Sequence, residues 1–107
     1  RYRQRIAAVL DAFAQARAAQ RATDDLAQVA TAAAQGRIAT LLVAADRVIA
    51  GRLAADGRID SGNLADPAID DVLDDLTERV AATGGEIVVL PDGDMPTRAG
   101  AAALLRY

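Results

Sequence analysis

Apolar positions change their spacing several times along the chain, and each change marks an element. Over 2–20, Ile6, Val9, Leu10 and Phe13 recur at helical spacing with Ala between them. Gln4, Arg5, Asp11 and Arg17 fall mostly off that stripe, which predicts an amphipathic helix. Phe13 is the only Phe and is expected in the core. Residues 21–25 break the pattern, and Thr23 or Asp24 is placed to cap a second helix. That helix carries Leu26, Val29, Ala30 and Ala33 on one face and stops at Gly36, a residue that tolerates φ > 0. The chain is organised around this stretch, 29–43 (VATAAAQGRIATLLV), because an unbroken apolar run follows the glycine. Such a run predicts a strand over 37–43 that is buried on both faces and needs helices above and below it.

Further along, Val48, Ile49 and Ala50 read as strand, and 55–58 (ADGR) reads as a turn with Gly57 at its φ > 0 position. Ile59 then closes a hairpin with 48–53, and 60–65 is a polar loop. Asp66-Pro67 is a helix start, with Asp as cap and Pro at the first helical position. Ile69, Val72, Leu73, Leu76 and Val80 follow at i, i+3, i+4, i+7 and i+11, and Asp70, Asp71, Asp74, Asp75 and Glu78 take the other face. Gly84-Gly85 ends this helix. Glu86–Leu90 (EIVVL) is a second buried-type strand, 91–100 is a loop, and 101–107 forms a last strand. Helix, helix, strand, strand, helix, strand, strand is an α/β order with helices for both faces of a mixed sheet.

Size allows one domain that buries about two-thirds of its unfolded surface. The chain has no Cys, which excludes a disulfide framework, a thiolate zinc site and a thiol nucleophile. It has no His, so metal ligation and general base catalysis lose their commonest side chain. No apolar run approaches the ~20 residues of a membrane span, so a cytoplasmic protein is expected. The chain opens at Arg1 without Met, and a domain of a longer protein is expected. Every basic residue is Arg, and Ala is abundant, a composition expected of a GC-rich bacterium.

Charge is divided unevenly. Residues 1–22 carry five Arg (1, 3, 5, 17 and 21) against Asp11, whereas 23–107 carry seven Arg against fourteen acids. The acidic body argues against phosphate attraction there. The basic N-terminal segment is either a solvated helix face or an RNA contact through Arg1, Arg3, Arg5 and Arg17. The acidic run 70–78 complements a helix dipole and keeps the face solvated, with a basic partner or a cation as alternatives. Asp92-Gly93-Asp94 lacks the later Glu of a calcium loop and reads as a turn. No phosphate-binding glycine pattern and no nucleophile elbow is present, and nothing places two carboxylates in one apolar pocket. No enzymatic activity, cofactor or metal is expected.

Three segments taken in order resemble a known family: 29–43, Gly84 to Leu90 (GGEIVVL) and Gly100 to Tyr107 (GAAALLRY). They are similar to the C-terminal, third domain of the archaeo-eukaryotic type of peptide-chain release factor and its relative pelota. There a helix and Gly lead into an apolar strand, and the domain closes on a "GILRY" segment. Met95-Pro96-Thr97 before a Gly looks like the bacterial members. The resemblance covers about residues 23–107. It implies a three-layer α/β/α sandwich with a mixed sheet of about four to five strands, related to ribosomal proteins that bind kink-turn RNA. It also implies a non-catalytic domain that docks a translational GTPase or a ribosome-associated factor. Carried over by residue, the contact falls on Leu104, Leu105, Arg106 and Tyr107, with Ala103 in place of a Gly. The leucines also fit a plain strand core, which would leave Arg106 and Tyr107 as the surface contacts.

Two features depart from the family pattern. Gly84-Gly85-Glu86 is not the peptidyl-tRNA-hydrolysing GGQ loop, which belongs to the family's middle domain. Kink-turn binders carry Gly-x-Asn-Glu where this chain reads Asp25-Leu26-Ala27-Gln28. The implied role is therefore protein docking, with RNA binding through the N-terminal arginines as the alternative.

Overall fold

The computed structural model describes residues 2–61 and 70–107. The expected helices come first: α1 (Tyr2–Ala18), then α2 (Leu26–Ala34) after a short strand β1 (Ala22–Thr23). The cap of α2 is Asp25, one residue beyond the expected Thr23 or Asp24, and its side chain accepts from the Gln28 N–H at 3.1 Å. Thr23 instead receives the Asp25 N–H on its hydroxyl, so it braces the cap. Gly36 ends the helix at φ 68°, and the Arg37 N–H returns to the Ala32 carbonyl.

The chain then enters β2 (Ile38–Ala44), which becomes the middle of a four-stranded sheet with order β1-β7-β2-β6. β6 (Glu86–Leu90) runs parallel to β2, from Thr40 opposite Glu86 to Ala44 opposite Leu90. β7 (Ala101–Leu105) runs antiparallel on the other side, with an irregularity between Ile38 and Thr40. Alternation sorts the side chains by face. Leu42 and Ala102 pack with Phe13 of α1. Leu41, Val43, Ala101 and Ala103 pack with Val29, Ala30 and Ala33 of α2 and with α3 (Val72–Ala82). The result is the expected three-layer α/β/α sandwich with a mixed sheet. Each burial of a Leu or Val contributes about 1.5–3 kcal/mol, and Leu41, Leu42, Val29 and Val80 are all fully buried.

The hairpin expected over 48–59 forms as β3 (Ala50–Leu53) and β4 (Ile59–Ser61). It belongs to a separate three-stranded sheet, β4-β3-β5, whose last strand is β5 (Asp70–Asp71). Gly57 at the tip, φ 91°, lies against α2: a Cβ there would meet the Ala30 carbonyl at 2.7 Å. The turn therefore needs glycine both for its conformation and for its approach to the helix.

The third helix differs from the expectation at its start. The anticipated cap Asp66-Pro67, the apolar Ile69 and the loop end 62–65 lie outside the described residues. Within them, α3 begins at Val72 with Asp71 as its cap. Asp70 and Asp71 are not on the helix's polar face. They pair as strand with Gly51 and Ala50. The Asp71 carboxylate explains the shift: its Oδ1 accepts from both the Leu73 N–H, at 3.1 Å, and the Ile49 N–H, at 2.9 Å. The apolar stripe Val72, Leu73, Leu76 and Val80 is buried as expected. Gly84, at φ 84°, follows the helix before β6 opens.

Candidate protein-interaction surface

β7 lies between β1 and β2, so the residues that follow it emerge beside the ends of α2 and α3. Backbone bonds hold the exit. The Leu105 N–H donates to Arg21 at 2.8 Å, and the Arg106 N–H donates to the Arg37 carbonyl at 2.7 Å. Side chains then tie down the last two residues. Arg106 Nη2 donates to the Thr83 carbonyl at 2.7 Å, at the C-terminal end of α3. A cation there complements the orphan carbonyls and the negative end of the helix dipole. Arg37 Nη2 donates to the Tyr107 carbonyl at 2.9 Å, and its guanidinium lies 5.4 Å from the centre of the Tyr107 ring. Its Nη1 donates to Gln35, and its buried Nε has no hydrogen-bond partner.

The structure thus separates the four C-terminal residues expected to make contacts. Leu104 is half-buried on the α1 side with the Phe13 cluster. Leu105 is half-buried on the α2 side and lines a cleft of about 380 Å³ with Thr23, Gln28, Thr31 and Arg37. Ala103, in the place of a family Gly, is fully buried. Arg106 is exposed but engaged with Thr83. Tyr107 is 68% exposed, the highest value for a large hydrophobic residue among the described residues. Arg37 escaped sequence reasoning: its partner is Tyr107, seventy residues on, and a single Arg after a helix-stopping Gly carries no signal of that contact.

The described N-terminal arginines are spread along α1. Arg1 lies outside the described residues. Arg3 and Arg17 are exposed and stand about 21 Å apart along α1 at ~1.5 Å per residue. Arg5 turns toward β6, where it lines a different groove. Arg17 is engaged locally, 3.4 Å from Asp24 and over the Phe13 ring at 5.7 Å.

With this geometry in hand, the comparison with solved structures is informative. The C-terminal domain of a peptide chain release factor from Methanosarcina mazei superposes with a TM-score of 0.67. The match covers 94% of this chain and 79% of that one, at 21% sequence identity. The chain has the fold of a release factor C-terminal domain. No family model matches the sequence, and no curated protein matches it.

The acidic helix and the 92–94 turn make contacts within the fold. Asp75 of the acidic helix accepts from the Leu53 N–H at 3.4 Å, and Arg79 beside it donates to the Ala54 carbonyl at 2.8 Å. Both tie α3 to the second sheet. Asp92, Gly93 and Asp94 form a 3₁₀ turn, and Asp92 stands 3.6 Å from Arg47. Among the described residues, no group of three or more acidic, His or Cys side chains could hold a metal ion. Nor is any described helix long and apolar enough to cross a membrane.

Proposed function

We propose that this chain is a non-catalytic interaction domain of a bacterial release-factor-like protein. It docks a translational GTPase or a ribosome-associated factor through Tyr107, Arg106 and the adjoining cleft at Leu105. The observation that carries this reading is the C-terminal strap. Arg37 holds the backbone at Arg106 and Tyr107 and lies over the Tyr107 ring, Arg106 ties to the end of α3, and Tyr107 remains 68% exposed to a partner. A pre-ordered aromatic at low entropy cost is what an interface anchor requires. The fold shared with the release factor domain supplies the translation context. RNA binding through Arg1, Arg3, Arg5 and Arg17 is less well supported, because the described arginines of α1 are spread along the helix, Arg17 is engaged with Asp24, and a phosphate backbone needs a continuous positive patch.

The test is direct binding to purified ribosomes and to purified translational GTPases, measured by interferometry. The expected result is one specific partner whose affinity falls about tenfold or more, about 1.4 kcal/mol, in Tyr107→Ala. An affinity unchanged in the double variant Arg106→Ala, Tyr107→Ala would sink the C-terminal assignment. Salt-dependent affinity for RNA alone would favour the other reading.

A further inference from the structure

The opposite margin of the sheet carries an independent feature. β6 is an edge strand: β2 occupies one side, and no described strand occupies the other. Edge strands of natural proteins are usually blunted by Pro, Lys, a bulge or a covering element. β6 has none of the first three. Its sequence is Glu-Ile-Val-Val-Leu, and its register with β2 is unbroken from Glu86 to Leu90. Val89 is 58% exposed, and Ile87 and Val88 are only half-buried. Nor does any described helix lie over the edge. α1 packs on β1 and β7, and between it and β6 lies a groove of about 600 Å³ flanked by Tyr2, Arg5, Ile6 and Val9.

We propose that β6 is a dimerisation strand whose occupant is β6 of a second copy, paired antiparallel about Val88. The strand is self-complementary in that arrangement. Val88 faces Val88, and Ile87 faces Val89 of the other copy twice over, so apolar pairs form on both faces of the sheet. The only charged residue, Glu86, falls opposite Leu90. The two Glu86 side chains then stand about 13 Å apart, beyond the ~8 Å screening length of physiological salt. A two-fold axis perpendicular to the sheet keeps both α1 helices on one face, so the Tyr2, Ile6 and Val9 flanks close over the seam from either side. Such a closed, isologous pairing is the commonest symmetry of oligomers. Five-residue strands alone bury less than the ~800 Å² per partner of a stable interface, so the α1 flanks are required and the dimer is a weak one. The docking surface at Tyr107 follows β7, separated from β6 by β2.

The test is sedimentation velocity of the chain from micromolar to near-millimolar concentration. A reversible monomer–dimer equilibrium is expected, weakened about tenfold or more by Val89→Lys, with the circular dichroism spectrum unchanged. Because the chain has no Cys, single cysteines report the register. Val88→Cys should form a disulfide-linked dimer under mild oxidation, whereas Val89→Cys, two positions out of register with itself, should not. A wild-type chain monomeric throughout, or Val89→Lys dimerising as tightly as wild type, overturns the proposal. So does cross-linking of Val89→Cys as fast as Val88→Cys. Should Val89→Lys fail to fold, the cysteine pair decides the question.

Discussion

Replacing Asp71 by Ala tests how the two sheets are joined. The carboxylate accepts the Leu73 N–H at the start of α3 and the Ile49 N–H from the segment entering β3. Loss of a helix cap costs about 1 kcal/mol within a range of 0.5–2. A half-buried N–H left without its acceptor costs about another 1–2 kcal/mol, the lower part of the range because water reaches it in part. The two add to about 2–3 kcal/mol. For a domain of this size that lowers the melting temperature by about 10 °C or more, at ~4–8 °C per kcal/mol. Urea unfolding followed by circular dichroism should show a lower midpoint at unchanged slope. Asp74→Ala is the control, since an exposed acid in the first turn contributes only about 0.3–1 kcal/mol through the dipole. Asp71→Asn keeps an acceptor oxygen and should lose about half as much as Asp71→Ala. If Asp71→Ala costs no more than Asp74→Ala, the cap lies elsewhere and the account of α3 is wrong.

Other perturbations follow the same logic. Gly57→Ala combines a positive φ with a Cβ placed 2.7 Å from the Ala30 carbonyl. It should destabilise by about 2–4 kcal/mol, whereas Gly93→Ala, with no atom near its Cβ, should be near neutral in the same denaturation assay. Leu42→Ala empties a fully buried site under Phe13 and should cost about 2–5 kcal/mol. At the C-terminus the two exposed residues should separate in thermal melts. Arg106→Ala removes a hydrogen bond to the end of α3 and should cost about 1 kcal/mol, while Tyr107→Ala forfeits at most an exposed cation–π contact of about 0.5–1 kcal/mol. Binding should rank them the other way.

Legibility tracked the range of the interaction. The stop at Gly36, the buried run of β2, the stripe Val72, Leu73, Leu76 and Val80, and the turn at Gly57 all rest on neighbours within a few residues, where period and φ preference leave one reading. Asp71 reads as helix surface from its spacing. Its true role needs the Ile49 N–H, which only the fold delivers. β1 and β5 are two residues each, too short to carry a period, and they exist because a longer strand lies beside them.

The chain's own pattern determined three things: the order of the helices and the longer strands, the core of α2, β2 and α3, and the absence of thiol and imidazole chemistry. Local sterics and hydrophobic spacing suffice for these. Tertiary structure decided which strand became an edge and that the hairpin left the main sheet. It also drew Arg37 across to hold Tyr107. These depend on pairings between segments up to seventy residues apart, and no local preference encodes such a pairing until packing brings the partners together.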